Sequence, residues 1–127
     1  MTTIQRLDHV NILTANMDDM IAWYGDILDL HPGHRPPFST PGAWLYCNDI
    51  PCVHLVEIDS SRTPKEPQIE HFAFAATGLP AFLEKLDARG IAYSLDHVPE
   101  MPLVQVNIAD SDGNHIHVDF ASGEIPS

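Results

Sequence analysis

At 127 residues, 44% of them apolar, the chain is long enough for one hydrophobic core and too short for two independent domains. Eighteen acidic against six basic residues give a net charge of −12 with no lysine or arginine cluster, which argues against nucleic acid or an anionic membrane as partner. The opening MTTIQRLDHV has no apolar signal core and no run reaches membrane-spanning length, so a cytoplasmic protein is expected.

Residues Gln5 to Leu13 alternate as a strand does, with Val10 and Ile12 facing one way and Leu7, His9 and Asn11 the other. Asn16 or Thr14 is placed to cap the helix that follows, whose apolar positions Met17, Met20, Ile21, Tyr24, Ile27 and Leu28 have helical spacing. Five prolines and glycines between His31 and Pro41 limit that segment to an irregular edge strand. Ala43 to Cys47 and Cys52 to Ile58 form a hairpin around Asn48-Asp49-Ile50-Pro51. The cysteines flanking it are too far apart for a CxxC zinc motif and are expected as two reduced thiols in a cytosolic chain. Residues 60–68, rich in serine and proline, read as a linker.

After the linker the pattern restarts. Ile69-Glu70-His71-Phe72 echoes Leu7-Asp8-His9-Val10 at an offset of 62 residues, and the same offset sets Leu79, Phe82, Leu83 and Leu86 on Met17, Met20, Ile21 and Tyr24. Gly90 is suited to end the second helix. Ile91 to His97 is a strand, and Leu103 to Phe120 is a hairpin around Asp110-Ser111-Asp112-Gly113-Asn114. In that hairpin Val104, Val106, Ile108, Ile116, Val118 and Phe120 form an apolar face opposite Gln105, Asn107, His115, His117 and Asp119. The expected fold is α+β: two βαβββ modules, residues 4–59 and 69–120, making one curved mixed sheet cup with helices on its outer face.

Four of the eight histidines fall at equivalent places, His9 and His71 on the first strand of each module and His54 and His117 on the last. Their apolar strand neighbours go under the helices, which leaves the imidazoles on the concave side. Four converging neutral imidazoles suit a divalent ion, with iron, zinc, nickel and manganese all within reach of that donor set. The competing reading is a set of hydrogen-bonded histidines in a polar pocket. His115, one pleat from His117, reads as a neighbour of the ligands or as exposed at the strand's start, and Glu57 points to the opposite face. His31, His34 and His97 read as surface residues. Asn11, Trp44, Tyr46, Gln105 and Asn107 line the same side and suit a small, partly apolar substrate, although Trp44 also suits a core or a dimer interface. Arg35 and Phe38 are candidates for a lid or carboxylate clamp. No residue is singled out as the catalytic acid or base.

Leu7-Asp8-His9-Val10, Trp23-Tyr24 before Leu28-Asp29-Leu30, Ile69-Glu70-His71-Phe72 and Asp110-Ser111-Asp112-Gly113-Asn114-His115-Ile116-His117 together resemble the vicinal oxygen chelate superfamily over nearly the whole chain. That superfamily includes glyoxalase I, bleomycin-resistance proteins and type I extradiol dioxygenases. The resemblance implies a metal held by one residue from the first and last strand of each module, which maps onto His9, His54, His71 and His117. It departs at the last strand, where a glutamate is usual in the family and His117 stands here. With no ligand charge from an all-imidazole set, the ion keeps its full charge and favours anionic chelating substrates. The implied protein is a metal-dependent isomerase, lyase or dioxygenase, and the rival is a metal-free drug-sequestering binder. The two prolines of the linker hinder folding back within a chain, so a homodimer with sites shared between subunits is expected.

Overall fold

A computed structural model describes residues 2–3, 5–59 and 70–125. The expected linker at 60–68, and Ile69, lie outside the described residues. Two compact units, Met1–Pro64 and Lys65–Ser127, carry one module each.

Module one runs β1 (Val10–Thr14), α1 (Met17–Leu28), β2 (His31–Pro32), β3 (Gly42–Cys47) and β4 (Ile50–Glu57). Its sheet order is β1-β4-β3-β2, parallel between β1 and β4 and antiparallel elsewhere. Module two repeats this with β5 (Phe72–Ala75), α2 (Leu79–Ala88), β6 (Ser94–His97), β7 (Leu103–Ala109) and β8 (His115–Ala121), in the order β5-β8-β7-β6. The βαβββ repeat is therefore present twice, each copy built around a mixed four-stranded sheet.

The helical spacing and the alternation both reappear as burial. Met20, Tyr24 and Ile27 of α1 are buried with Leu45, Val53 and Leu55 of the sheet, and α1 packs on β2, β3 and β4. In module two, Leu79 and Leu86 are buried with Val104, Val106, Ile108, Ile116, Val118 and Phe120, and Phe82 lies against Phe120. The apolar faces are where the alternation puts them, and His54 of β4 and His117 of β8 lie on the opposite faces. α1 ends at Asp29 in the left-handed region (φ 57°), whereas Gly90 takes that conformation (φ 66°) just beyond α2. The N-terminus of α2 is closed from a distance, as Glu124 Oε1 accepts the N–H of Gly78 at 2.8 Å and of Leu79 at 3.0 Å.

Three boundaries differ from expectation. The first strand begins at Val10 rather than Gln5, because its ladder with β4 starts at Val10↔Val53 and Leu7 is 78% exposed. The second strand of module two, β6, begins at Ser94 rather than Ile91, where its pairing with Asn107 starts. The β3–β4 turn is Asn48-Asp49 alone, since Asn48 adopts φ 55° and lets Cys47 pair with Ile50. Pro51, which has no N–H to donate, then sits opposite Tyr46 beside a register shift between Leu45 and Tyr46. Among the described residues no helix is long and apolar enough to cross a membrane.

Candidate metal centre

The β7–β8 turn sets the geometry of the last strand. Asp110 is buried, and its Oδ1 accepts the backbone N–H of Asp112 and of Asn114, both at 2.9 Å. Its Oδ2 accepts Asn114 Nδ2–H at 2.8 Å, and Gly113 supplies the left-handed residue at φ 86°. With the turn fixed, β8 pairs His117 with Asn107 on one side and Ala73 on the other. In module one the corresponding row is Asn11, His54 and Trp44.

In module two, His71, His115 and His117 each present a ring nitrogen within 4.8 Å of the others. His71 and His117 stack with centroids 4.1 Å apart, and His115 meets His117 edge-on at 4.7 Å. Glu70 reaches two of the three rings: Oε2 contacts His71 Nδ1, and Oε1 lies 3.0 Å from His115 Nδ1. His115 Nε2 is 3.0 Å from Asn107 Oδ1, and Asn107 Nδ2 donates to Asp96 Oδ2 at 2.8 Å. His117 is 8% exposed, and its Nδ1 is buried with no hydrogen-bond partner. Burial, with the neighbouring His71 and His115 adding to it, pushes the His117 imidazole below its ordinary pKa and so towards the neutral form that metals bind. The hydrogen bonds from His71 and then His115 hold the Glu70 carboxyl below the usual range.

An orphaned buried imidazole nitrogen beside two further imidazoles fits a divalent ion. Nothing else described accounts for His117 Nδ1. An acidic residue holding Nδ1 of His71 also matches the common arrangement in which a carboxylate orients a metal-binding histidine.

Module one repeats half of this. His9 stacks on His54 at 3.9 Å, His54 stacks on Trp44 at 4.2 Å, and Asp8 Oδ2 lies 2.8 Å from His9 Nδ1. His54 Nε2 donates to the Pro51 carbonyl at 3.0 Å, which leaves Nδ1 as its free nitrogen. Burial and then His9 lower the His54 pKa. Trp44 is part of this wall rather than core. Phe38 continues the wall, 6.1 Å from Trp44, with the Arg35 guanidinium 4.9 Å above its ring. Tyr46 is drawn elsewhere, its hydroxyl donating to the His34 carbonyl at 2.6 Å.

His115 is therefore not an exposed strand start but a member of the cluster, because period-two pleating keeps it on the face of His117. Glu70 and Asp119 have no role in the sequence reading, yet the Glu70 carboxylate reaches this cluster and Asp119 shares the face of His117 on β8. Asp119 Oδ1 is buried with no hydrogen-bond partner, two residues along β8 from His117. The signal for Glu70 was in the repeat, since an acid precedes the first-strand histidine of both modules. An open depression of about 310 Å³ bordered by Tyr93, Ser94, Asn107 and His115 adjoins the cluster. Its volume is at the small end of ligand sites. Asn107 lines it and Gln105 does not. Cys47 and Cys52 are free thiols.

The model of the Glyoxalase/Bleomycin resistance protein/Dioxygenase superfamily matches residues 6–118. Glyoxylase I 4 of Arabidopsis thaliana is 28% identical over 119 residues, which span 88% of this chain and 68% of that protein. The crystal structure of a glyoxylase/bleomycin resistance protein/dioxygenase domain from Frankia sp. EAN1pec superposes with a TM-score of 0.76 at 20% identity, covering 94% of this chain and 93% of that one. Lactoylglutathione lyase from Agrobacterium tumefaciens does so with a TM-score of 0.67 at 19% identity, covering 94% and 96%. At such identities the two structures establish a shared fold.

Proposed function

The chain belongs to the Glyoxalase/Bleomycin resistance protein/Dioxygenase superfamily, and from that premise we propose that it is a metal-dependent enzyme of the glyoxalase type acting on a small molecule that chelates a divalent ion through two oxygens. The observation that carries this reading is the buried, unpartnered Nδ1 of His117 among clustered imidazoles. The relatives named for glyoxalase I and lactoylglutathione lyase support an enzyme over a passive binder.

His71 and His117 are the module-two ligands at the positions the repeat marks. The repeat nominates His9 and His54 as further ligands, an expectation that rests on sequence equivalence. When bound, the ion acts as a Lewis acid that stabilises negative charge developing on substrate oxygen. The protein's own residues do the rest. Glu70 orients His71, and neutral imidazole donors leave the ion's charge undiminished for an anionic substrate. Asn107 supplies a polar contact at the mouth of the depression, and the Trp44 ring offers an apolar wall in module one. Asp119 takes the proton-accepting role, since its buried, unpartnered oxygen is the carboxylate atom on the face of His117 that no other group occupies. The protein is further expected to be a homodimer, which light scattering would show as twice the chain mass.

The test is turnover by untagged protein reconstituted with zinc, nickel, manganese or iron(II). The substrates are hemithioacetals of 2-oxoaldehydes, catechols and 2-hydroxy acids. Metal-dependent conversion of one class, abolished in His117→Ala, supports the reading. Tight binding of a panel member with no metal dependence and no conversion would favour a binding protein instead.

A further inference from the structure

The last strand carries two histidines on one face, and only His117 stands where the superfamily usually places a ligand. We propose that His115 is a third metal ligand in module two, and that the ion displaces Asn107 from it. This rests on the metal-dependent reading above and specifies which residues carry it.

The geometry is nearly that of a tridentate site. Two nitrogens bound to one zinc-like ion at about 2.1 Å stand roughly 3.4 Å apart in tetrahedral coordination. Nitrogens as far apart as 4.8 Å must therefore close by about 1.4 Å. The burial pattern shows which rings move. His117 is buried, whereas the side chains of His71 and His115 are 39% and 34% exposed, so the two outer rings can swing onto a fixed one. Glu70 coordinates that movement, because one carboxylate holds Nδ1 of both outer rings and directs each Nε2 outward as the ligand atom.

Nε2 of His115 faces Asn107 Oδ1, and the amide cannot simply turn over, since its Nδ2 is held by Asp96. An ion that takes Nε2 must replace Asn107 there. Asn107 borders the depression, and its released Oδ1 becomes an acceptor for a hydroxyl or N–H of the substrate. Asn107 is then a competitor of the metal before binding and a substrate contact afterwards.

The experiment titrates cobalt(II) and zinc(II) into metal-free wild type, His115→Ala, Asn107→Ala and the control His31→Ala, by calorimetry and by the visible absorption of bound cobalt. His115→Ala should weaken binding at least tenfold and change the cobalt spectrum. His31→Ala should match wild type, and Asn107→Ala should bind as tightly or more tightly. If His115→Ala loses its native circular dichroism, His115→Gln replaces it, keeping a polar side chain without the imidazole, with the same tenfold loss expected. Wild-type affinity and spectrum in the His115 variant, with binding lost in His117→Ala, would overturn the third ligand and leave the metalloenzyme reading standing. Weaker binding in Asn107→Ala would overturn the displacement. A wild type that binds neither ion would end both.

Discussion

The imidazoles of His71 and His117 lie face to face, centroids 4.1 Å apart and planes 13° from parallel. His9 and His54 do the same at 3.9 Å and 11°. The two stacks arise from one pairing rule, because Val10 sits opposite Val53 and Phe72 opposite Ile116 in parallel ladders, each histidine next to those partners. Burial, and then the stacked partner ring, lower the pKa of His54 and of His117 towards the neutral form that metals bind.

Replacing His117 by glutamate restores the carboxylate usual in the family and adds one negative charge beside the ion. His117→Glu should strengthen manganese binding relative to zinc or nickel. Competition titrations that show unchanged relative affinities would remove His117 from the ligand set.

The metal-free protein should lose stability as pH falls through about 6.5. His54 and His117 have folded-state pKa values below their ordinary 6.5, and the unfolded chain has no such depression. Between the folded and unfolded values the unfolded chain binds more protons, so acid favours it. The urea midpoint should drop between pH 7.5 and 5.5, and the drop should flatten in a His54→Asn/His117→Asn double variant. The lowered Glu70 adds a separate loss only below about 4.5. An equally steep drop in the double variant would assign the effect to other groups.

Asp110→Ala should destabilise the fold by about 2–3 kcal/mol, since it strips three hydrogen bonds from a buried turn. Glu124→Ala, which removes the cap of α2, should cost about 1 kcal/mol. Denaturation with no change in midpoint for Asp110→Ala would mean that the turn holds without its side chain.

Asp119→Asn should leave the melting temperature unchanged or raise it, because a buried carboxylate oxygen without a partner is a cost to folding. Turnover should fall about 10²-fold or more if the carboxylate accepts a proton during reaction. Unimpaired turnover would move that role to another group.

The repeat, both helices and both apolar faces were legible because periodicity and burial express the same constraint. Where strands begin was less so, since alternation at Leu7 or Ile91 looks the same whether or not a partner strand is alongside. His71 and His117 stand out by symmetry, whereas His115 is legible only by strand alternation as a neighbour on the face of His117, because it has no counterpart in module one: two residues before His54 stands Cys52. Glu70 was visible as the acid of a repeated acid-histidine pair, and its bridging of two rings depends on β8 carrying His115 past it. The hydroxyl of Tyr46 bonding to His34 could not be read, because the shift between Leu45 and Tyr46 is a matter of ladder register.

The central claim is that the imidazole face of module two holds an ion. Elemental analysis of protein purified without a tag and without chelator measures this directly. About one divalent ion per chain in wild type, lost in His71→Ala and in His117→Ala with the fold retained, is the predicted result. Metal well below one per chain in wild type, unchanged by either substitution and not raised by reconstitution, would contradict it.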